Sequence, residues 1–192
     1  MDIEYKWQQV GSTGRAQYQC GYCGNRVGPN TCYAAHTSIN KIAFIFICPT
    51  CTMPTFVDVN GVQVPAARLG GEVRGITEPS VQALYNEARD CTSVGAFTAA
   101  AMLCRKILMH LAVQHGAKPG DPFVAYVDHL EAAGFVPPNG KPWVDEIRKK
   151  GNVANHEIVL VDQSDAEQIL TFTEMLLRFS YEFPSMLKKT TP

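Results

Sequence analysis

The sequence lacks any long apolar run. Its longest, "IAFIFIC" at 42–48, has the length of a β-strand and falls short of the roughly 18–20 residues a membrane-spanning helix needs. No membrane partner is therefore expected. Charge of either sign is also scarce in excess: 17 Lys and Arg stand against 18 Asp and Glu, a net of −1. A polyanion is not drawn in by the field of the whole chain, so any nucleic-acid contact must be local. The balance does differ along the chain, with a net of +2 over residues 1–77 and −3 over 78–192. The start, "MDIEYKWQQV", has neither a basic leader nor an apolar signal core, which leads us to expect a cytoplasmic protein. A Gly-rich phosphate loop, a GxSxG elbow and an HExxH pair are all missing, which removes the standard nucleotide-hydrolase, serine-hydrolase and zincin classes.

What is present is a globular composition, 46% hydrophobic and 18% charged over 192 residues. That length suits one ordinary domain plus a small accessory module. Seven cysteines is an odd number, and five of them fall in the first 51 residues. This distribution speaks against a disulfide framework. Four of the five form C-x2-C-x24-C-x2-C, with Cys20 and Cys23 in "CGYC" and Cys48 and Cys51 in "CPTC". Two intervening residues let a tight turn aim two thiolates at one ion, and two such turns complete a tetrahedral site of the kind zinc takes. "KIAFIFI" between them reads as a strand, and "TFVDVNGVQVP" as a hairpin turning at Asn60-Gly61. That is the plan of a zinc ribbon over residues 1–64, whose four-cysteine sphere is closed and therefore structural. Cys32 and His36 are spare ligand types in the loop, expected to be bystanders.

Residues 65–78, "PAARLGGEVRGITE", hold three glycines and no periodicity and read as a connector. Helical patterning begins at Pro79 and runs to about 187. "EPSVQALYNEARDC" sets Val81, Leu84 and Ala88 on one face. "SVGAFTAAAMLCRKILMHLAVQHG" is apolar nearly all round, the mark of a central helix, with Ser93 as expected N-cap and Gly116 as stop. "DPFVAYVDHLEAAG" offers Asp121 as N-cap, Pro122 at N1 and Gly134 as terminator. "KPWVDEIRKKGN" is anchored by Trp143 and Ile147. The last helix, from "SDAEQIL", has Ser164 and Glu167 spaced as a capping box and should end where Pro184 stops it. The expected fold class is α+β: a small β zinc ribbon, then an all-α antiparallel bundle of five helices.

"CRKIL" at 104–108, "WVDEIRKKGNVANH" at 143–156, "SDAEQIL", the "YEFP" ending and the knuckle "ICPTCTMPTF" together resemble the bacterial family called domain of unknown function 4145. That family is grouped with the HEPN superfamily (higher eukaryotes and prokaryotes nucleotide-binding domains). The resemblance implies a HEPN-like bundle of four to five helices, often dimeric, at work in toxin–antitoxin, restriction or antiviral systems. Active members are metal-independent endoribonucleases. Their signature is an Arg, four to six residues, then a His, commonly with a polar residue straight after the Arg. Carried over, the His falls on His156 and the polar residue on Asn152, while the Arg position falls on Gly151. Arg148 has seven residues between it and His156, outside that spacing. Metal-free RNA cleavage needs a base for the 2′-hydroxyl and a cation for the phosphate. His156 would be the base, and the cation would come from Arg148, Lys150, Arg105 or a second subunit.

Two readings of this stretch stay open. In a continuous helix, Arg148, Asn152 and His156 follow at i, i+4 and i+8 on one slowly drifting face. Alternatively, Gly151 after Lys149 and Lys150 is a helix C-terminus, Asn155 caps the next segment, and His156 is a polar side chain. Arg105, in the most apolar helix, must snorkel outward or face a polar cleft, with Lys106 exposed. Lys149 and Lys150 complete a local basic cluster. His110 and His115 suit dipole or solvent roles, His129 a surface one, and Cys91 and Cys104 burial. The functions these features support are three: a non-catalytic module that binds RNA, a nucleotide or a protein partner; a dimeric endoribonuclease using His156; and an adaptor without nucleic-acid contact.

Overall fold

The computed structural model describes residues 4–10, 17–38, 41–137, 140–152 and 160–187, with side chains given only to Ile147 in the fourth stretch. The chain divides into two compact units, Met1–Arg68 and Leu69–Pro192.

The first unit is built of strands: β1 (Tyr5–Val10), β2 (Tyr18–Gln19), β3 (Arg26–Val27), β4 (Thr31–Thr37), β5 (Ile42–Ile47), β6 (Pro54–Val57) and β7 (Gln63–Val64). A five-stranded antiparallel sheet has the order β1-β4-β5-β6-β7, and β2 and β3 form a separate ladder. The strand read from "KIAFIFI" is β5, and the expected hairpin is β6–β7, pairing Phe56 with Val64 and turning through Gly61 at φ +83°. Register decides what each face does, because alternate residues point to opposite sides. Val10, Cys32, Phe44, Phe46 and Val57 lie on one face and pack with Tyr18, Cys20 and Cys48. Trp7, Ala35, Ala43, Ile45 and Phe56 lie on the other.

The second unit is helical: α1 (Pro79–Ser93), α2 (Phe97–Gln114), α3 (Phe123–Ala132), α4 (Lys141–Asn152), α5 (Gln163–Leu177), a π-turn (Arg178–Glu182) and α6 (Phe183–Leu187). Thus the fold is mixed α+β. α2 is central, packing against α1, α3 and α5, and it buries Cys104, Ile107, Leu108 and Leu111. The residues before α1 also belong to this unit. Val73 is 1% exposed within the helical core.

Three helix ends differ from expectation. Ser93 closes α1, its hydroxyl donating to the Asp90 carbonyl, and α2 starts four residues later after Gly95 at φ +77°. Ser caps a helix only where its backbone is extended; here it continues one. α3 begins at Phe123 with Pro122, not Asp121, in the cap position. α5 is capped by Asp162, which accepts from the Asp165 amide at 2.8 Å, so Ser164 already lies in the first turn. Pro184 does not end the last helix either. The π-turn intervenes first, and Pro184 then stands second in α6, where the missing N–H falls among donors that the opening turn leaves unpaired anyway.

Candidate metal centre

The two CxxC turns are built alike. In the first, the Cys20 amide donates to Asn25 O and the Gly24 amide to Cys20 O, both at 2.9 Å. In the second, the Cys48 amide donates to Met53 O at 3.1 Å and the Thr52 amide to Cys48 O at 2.9 Å. Each chain must then turn through a left-handed residue at the fourth position after its first cysteine. Gly24 serves in one, at φ +73°, and Thr52 in the other, at φ +62°. That conformation strains a β-branched residue. The Thr52 hydroxyl donates to the Cys51 carbonyl at 2.7 Å, a local compensation. Gly21 has a different reason to be glycine: a Cβ there would sit 2.4 Å from Ala66 O and 2.7 Å from Pro65 O. The first turn is thus pressed against the chain leaving β7, and the Gln63 side chain ties both by donating to Gln19 O and Pro65 O.

The result is four sulfurs within 4.8 Å of one another. Cys20 Sγ is 3.6 Å from Cys51 Sγ, and Cys23 Sγ is 3.8 Å from Cys48 Sγ. A tetrahedron with zinc–sulfur bonds of about 2.3 Å has edges of roughly 3.8 Å. A disulfide needs about 2.05 Å, and all seven cysteines are free. These four can therefore hold a metal ion such as zinc. Their protonation points the same way. Burial pushes the Cys20 thiol up. Burial opposes ionisation at Cys48 too, but the Cys51 and Thr50 amides aimed at its sulfur bring it down to about 7. At Cys51 the Met53 amide favours the thiolate, yet burial and the neighbouring sulfurs outweigh it, and the thiol is pushed up to about 12. Several thiolates this close are incompatible without a cation between them. Asn25 Nδ2, 3.6 Å from Cys23 Sγ, adds a donor to the cluster.

Cys32 is buried in the same apolar cluster, but its thiol is directed to Val10 O at 3.5 Å and it is not one of the four. His36 is exposed on β4.

In the helical unit, α4 carries its helical backbone through Gly151 to Asn152, so Arg148 and Asn152 occupy one face at i and i+4. His156 and Asn155 lie outside the described residues, and so do the side chains of Arg148, Lys149, Lys150 and Asn152. Arg105 sits over the Phe123 ring at 4.5 Å, and burial holds its guanidinium below the ordinary arginine range. Lys106 is exposed. His129 Nε2 reaches His115 O at 2.9 Å, which caps the end of α2 from α3 and requires the proton on that nitrogen.

Two side-chain networks gave no sequence signal of their own. Glu174 accepts from the Gly71 amide at 3.0 Å and from Arg178 Nε at 3.0 Å, while Arg178 also pairs with the buried Glu182. Tyr85 donates to Gly71 O, and Arg89 to Leu69 O and Gly70 O, so the glycine pair is clamped from both sides. Elsewhere, Glu78 turns away from its cap position to meet His110 Nε2 at 2.9 Å, Gln114 Nε2, and the Tyr181 hydroxyl at 3.2 Å. Tyr181 comes from the π-turn. The only advance sign was the run of glycines at 70, 71 and 75.

Residues 86–190 match the family model described as Domain of unknown function (DUF4145). The chain belongs to this family. The match spans more than half of the sequence, and its start inside α1 leaves the four cysteines outside it. No curated protein and no solved structure matches the chain. No helix among the described residues is long and apolar enough to cross a membrane.

Proposed function

We propose that this DUF4145 chain joins a zinc ribbon, in which Cys20, Cys23, Cys48 and Cys51 hold one structural zinc ion, to a HEPN-like helical domain, and that it is a non-catalytic RNA-binding module of a bacterial defence or toxin–antitoxin system. The observation carrying the reading is the closed set of four sulfurs. With four protein ligands the ion has no open position for water or substrate, so it supplies folding energy to a small unit rather than chemistry. The ribbon then contributes a surface. On the helical side, Gly151 stands where the superfamily's cleavage signature has Arg, which supports binding without cleavage. The same superfamily relation suggests a homodimer.

The test is binding of labelled single-stranded RNA by the zinc-loaded chain over a range of salt. Affinity should fall steeply as salt rises, because phosphate contacts release counterions. No binding at any salt would refute the reading in favour of an adaptor. A parallel incubation in EDTA, short enough to keep the bound zinc, compares wild type with His156→Ala. Cleavage lost in the variant would replace the proposal with the endoribonuclease using His156.

A further inference from the structure

α2 has the composition of a helix buried on every side. Its 18 residues include no Asp or Glu, and apolar residues run round most of its circumference. The helices packed on it are α1, α3 and α5, and one face stays open. On that face Met102 is 67%, Met109 36% and Val113 37% exposed, with Ala99 and Lys106 exposed beside them. From Ala99 to Val113 the five follow at steps of three, four, three and four residues. That spacing is the a/d seam of a helix made to pair with another helix, not the scatter of a solvated surface.

The one charged residue of the seam sits at its centre. Lys106 makes no ion pair among the described residues. Its neighbours on α2 do not neutralise it: Arg105 lies over the Phe123 ring, and His110 meets Glu78 at 2.9 Å. Nor do the flanking helices. Asp90 on α1 and Asp128 and Glu131 on α3 are engaged with other groups, and Glu87 on α1 forms no ion pair with Lys106. The open face is therefore apolar and basic, although the unit around it is acidic, with twelve Lys and Arg against fifteen Asp and Glu over residues 69–192.

We infer that the open face of α2 docks an amphipathic helix of a protein partner, whose apolar residues lie on Met102, Met109 and Val113 and whose carboxylate, at the facing central position, meets Lys106. Charge complementarity selects this occupant. A two-fold pairing of two copies centred on the seam would set Lys106 against Lys106, and α2 has no acid to offer in exchange. A homodimer of the chain would use another face. An RNA strand would find a single lysine among methionines and a valine, too few cations for the several phosphate contacts such binding takes. Unbranched methionines at two of the apolar positions suit a surface that repacks around a partner's side chains.

The probe is a fluorescently labelled synthetic helix of about three heptads with Leu at a and d and Glu at the central a position; its twin carries Lys there. Each is titrated with zinc-loaded full-length protein and read by anisotropy. The Glu peptide should bind, and the Lys peptide should bind about 2- to 30-fold more weakly, the span of exchanging a part-exposed attraction for a repulsion. Lys106→Glu should reverse the order of the two peptides, and Met109→Glu should abolish binding of both. All these side chains are exposed, so unchanged helical ellipticity and Tm show that each variant has folded. Failure of the Glu peptide to bind, or a preference that Lys106→Glu leaves unaltered, overturns the inference. A wild-type dimer that Met109→Glu splits, seen by sedimentation, would place a second copy on the face and overturns it too. RNA affinity lowered by Lys106→Glu, with neither peptide bound, would assign the face to nucleic acid instead.

Discussion

Gly70→Ala measures how tightly the segment before α1 is held against the helices. Gly70 has φ +71°, and a Cβ there would lie 2.6 Å from Glu174 Oε2, 2.9 Å from the Tyr85 hydroxyl and 3.1 Å from Leu170 Cδ2. Tyr85 and Leu170 are both fully buried and cannot move aside. Glu174 must therefore yield, and it would lose its bond from the Gly71 amide. Placing alanine in the left-handed region costs about 1 kcal/mol. Losing an amide–carboxylate bond at a half-buried site costs about 2 kcal/mol more. The sum, about 3 kcal/mol, should lower the Tm of the helical unit by roughly 10 °C. Gly95→Ala is the control, because Gly95 has φ +77° but nothing within 4 Å of its Cβ; it should cost only the backbone share, about 1 kcal/mol. Calorimetry of wild type and both variants, zinc-loaded throughout, isolates the packing share as their difference. Equal losses within about 0.5 kcal/mol, the ordinary additivity error, would refute the clamp formed by Tyr85, Glu174 and Arg178.

Cys51→Ser should take bound zinc from one ion per chain to a small fraction by elemental analysis, with loss of strand signal while helical ellipticity stays, since only the small unit depends on the ion. Thr52→Gly should stabilise that unit by about 1 kcal/mol in chelator titrations, because it relieves a left-handed threonine; no gain would mean that its hydroxyl bond to Cys51 O fully offsets the strain. Burial opposes ionisation of Glu78, but bonds from His110, Gln114 and Tyr181 prevail and hold its carboxyl below the ordinary value. A depressed acid stabilises the fold above its unfolded pKa, and that stability fades as pH falls through the folded value. Wild type should therefore exceed Glu78→Gln in stability at pH 7, and the gap should close in acid; a gap that stays constant with pH would contradict this.

The four cysteines able to hold a metal were legible because their information is local. A CxxC spacing dictates a turn wherever it occurs, and two of them close a tetrahedron once a hairpin brings them together. The helices were legible for a similar reason, through their apolar periodicity. Their ends were less so. Ser93 and Ser164 are good caps by residue type, but a cap is defined by backbone geometry, and Asp162 holds it at α5. Pro184 reads as a stop only while the preceding turns keep α register, and the π-turn at Arg178–Glu182 changes that register.

What sequence patterns could not supply was contact across long separations. β1 pairs with β4, and Trp7 meets Phe56 two strands beyond; nothing within "EYKWQQV" announces either partner. The glycines at 70, 71 and 75 read as slack because glycine carries no periodicity, although Gly70 and Gly71 lie where a Cβ would collide with Glu174 or Arg178. Flexibility and close approach favour the same residue, and only the neighbours distinguish them. The same reasoning separates the two halves of the functional reading. The cysteine set is decided by its own geometry, four sulfurs at the edge lengths of one coordination sphere. The binding role depends on which surfaces an external molecule meets.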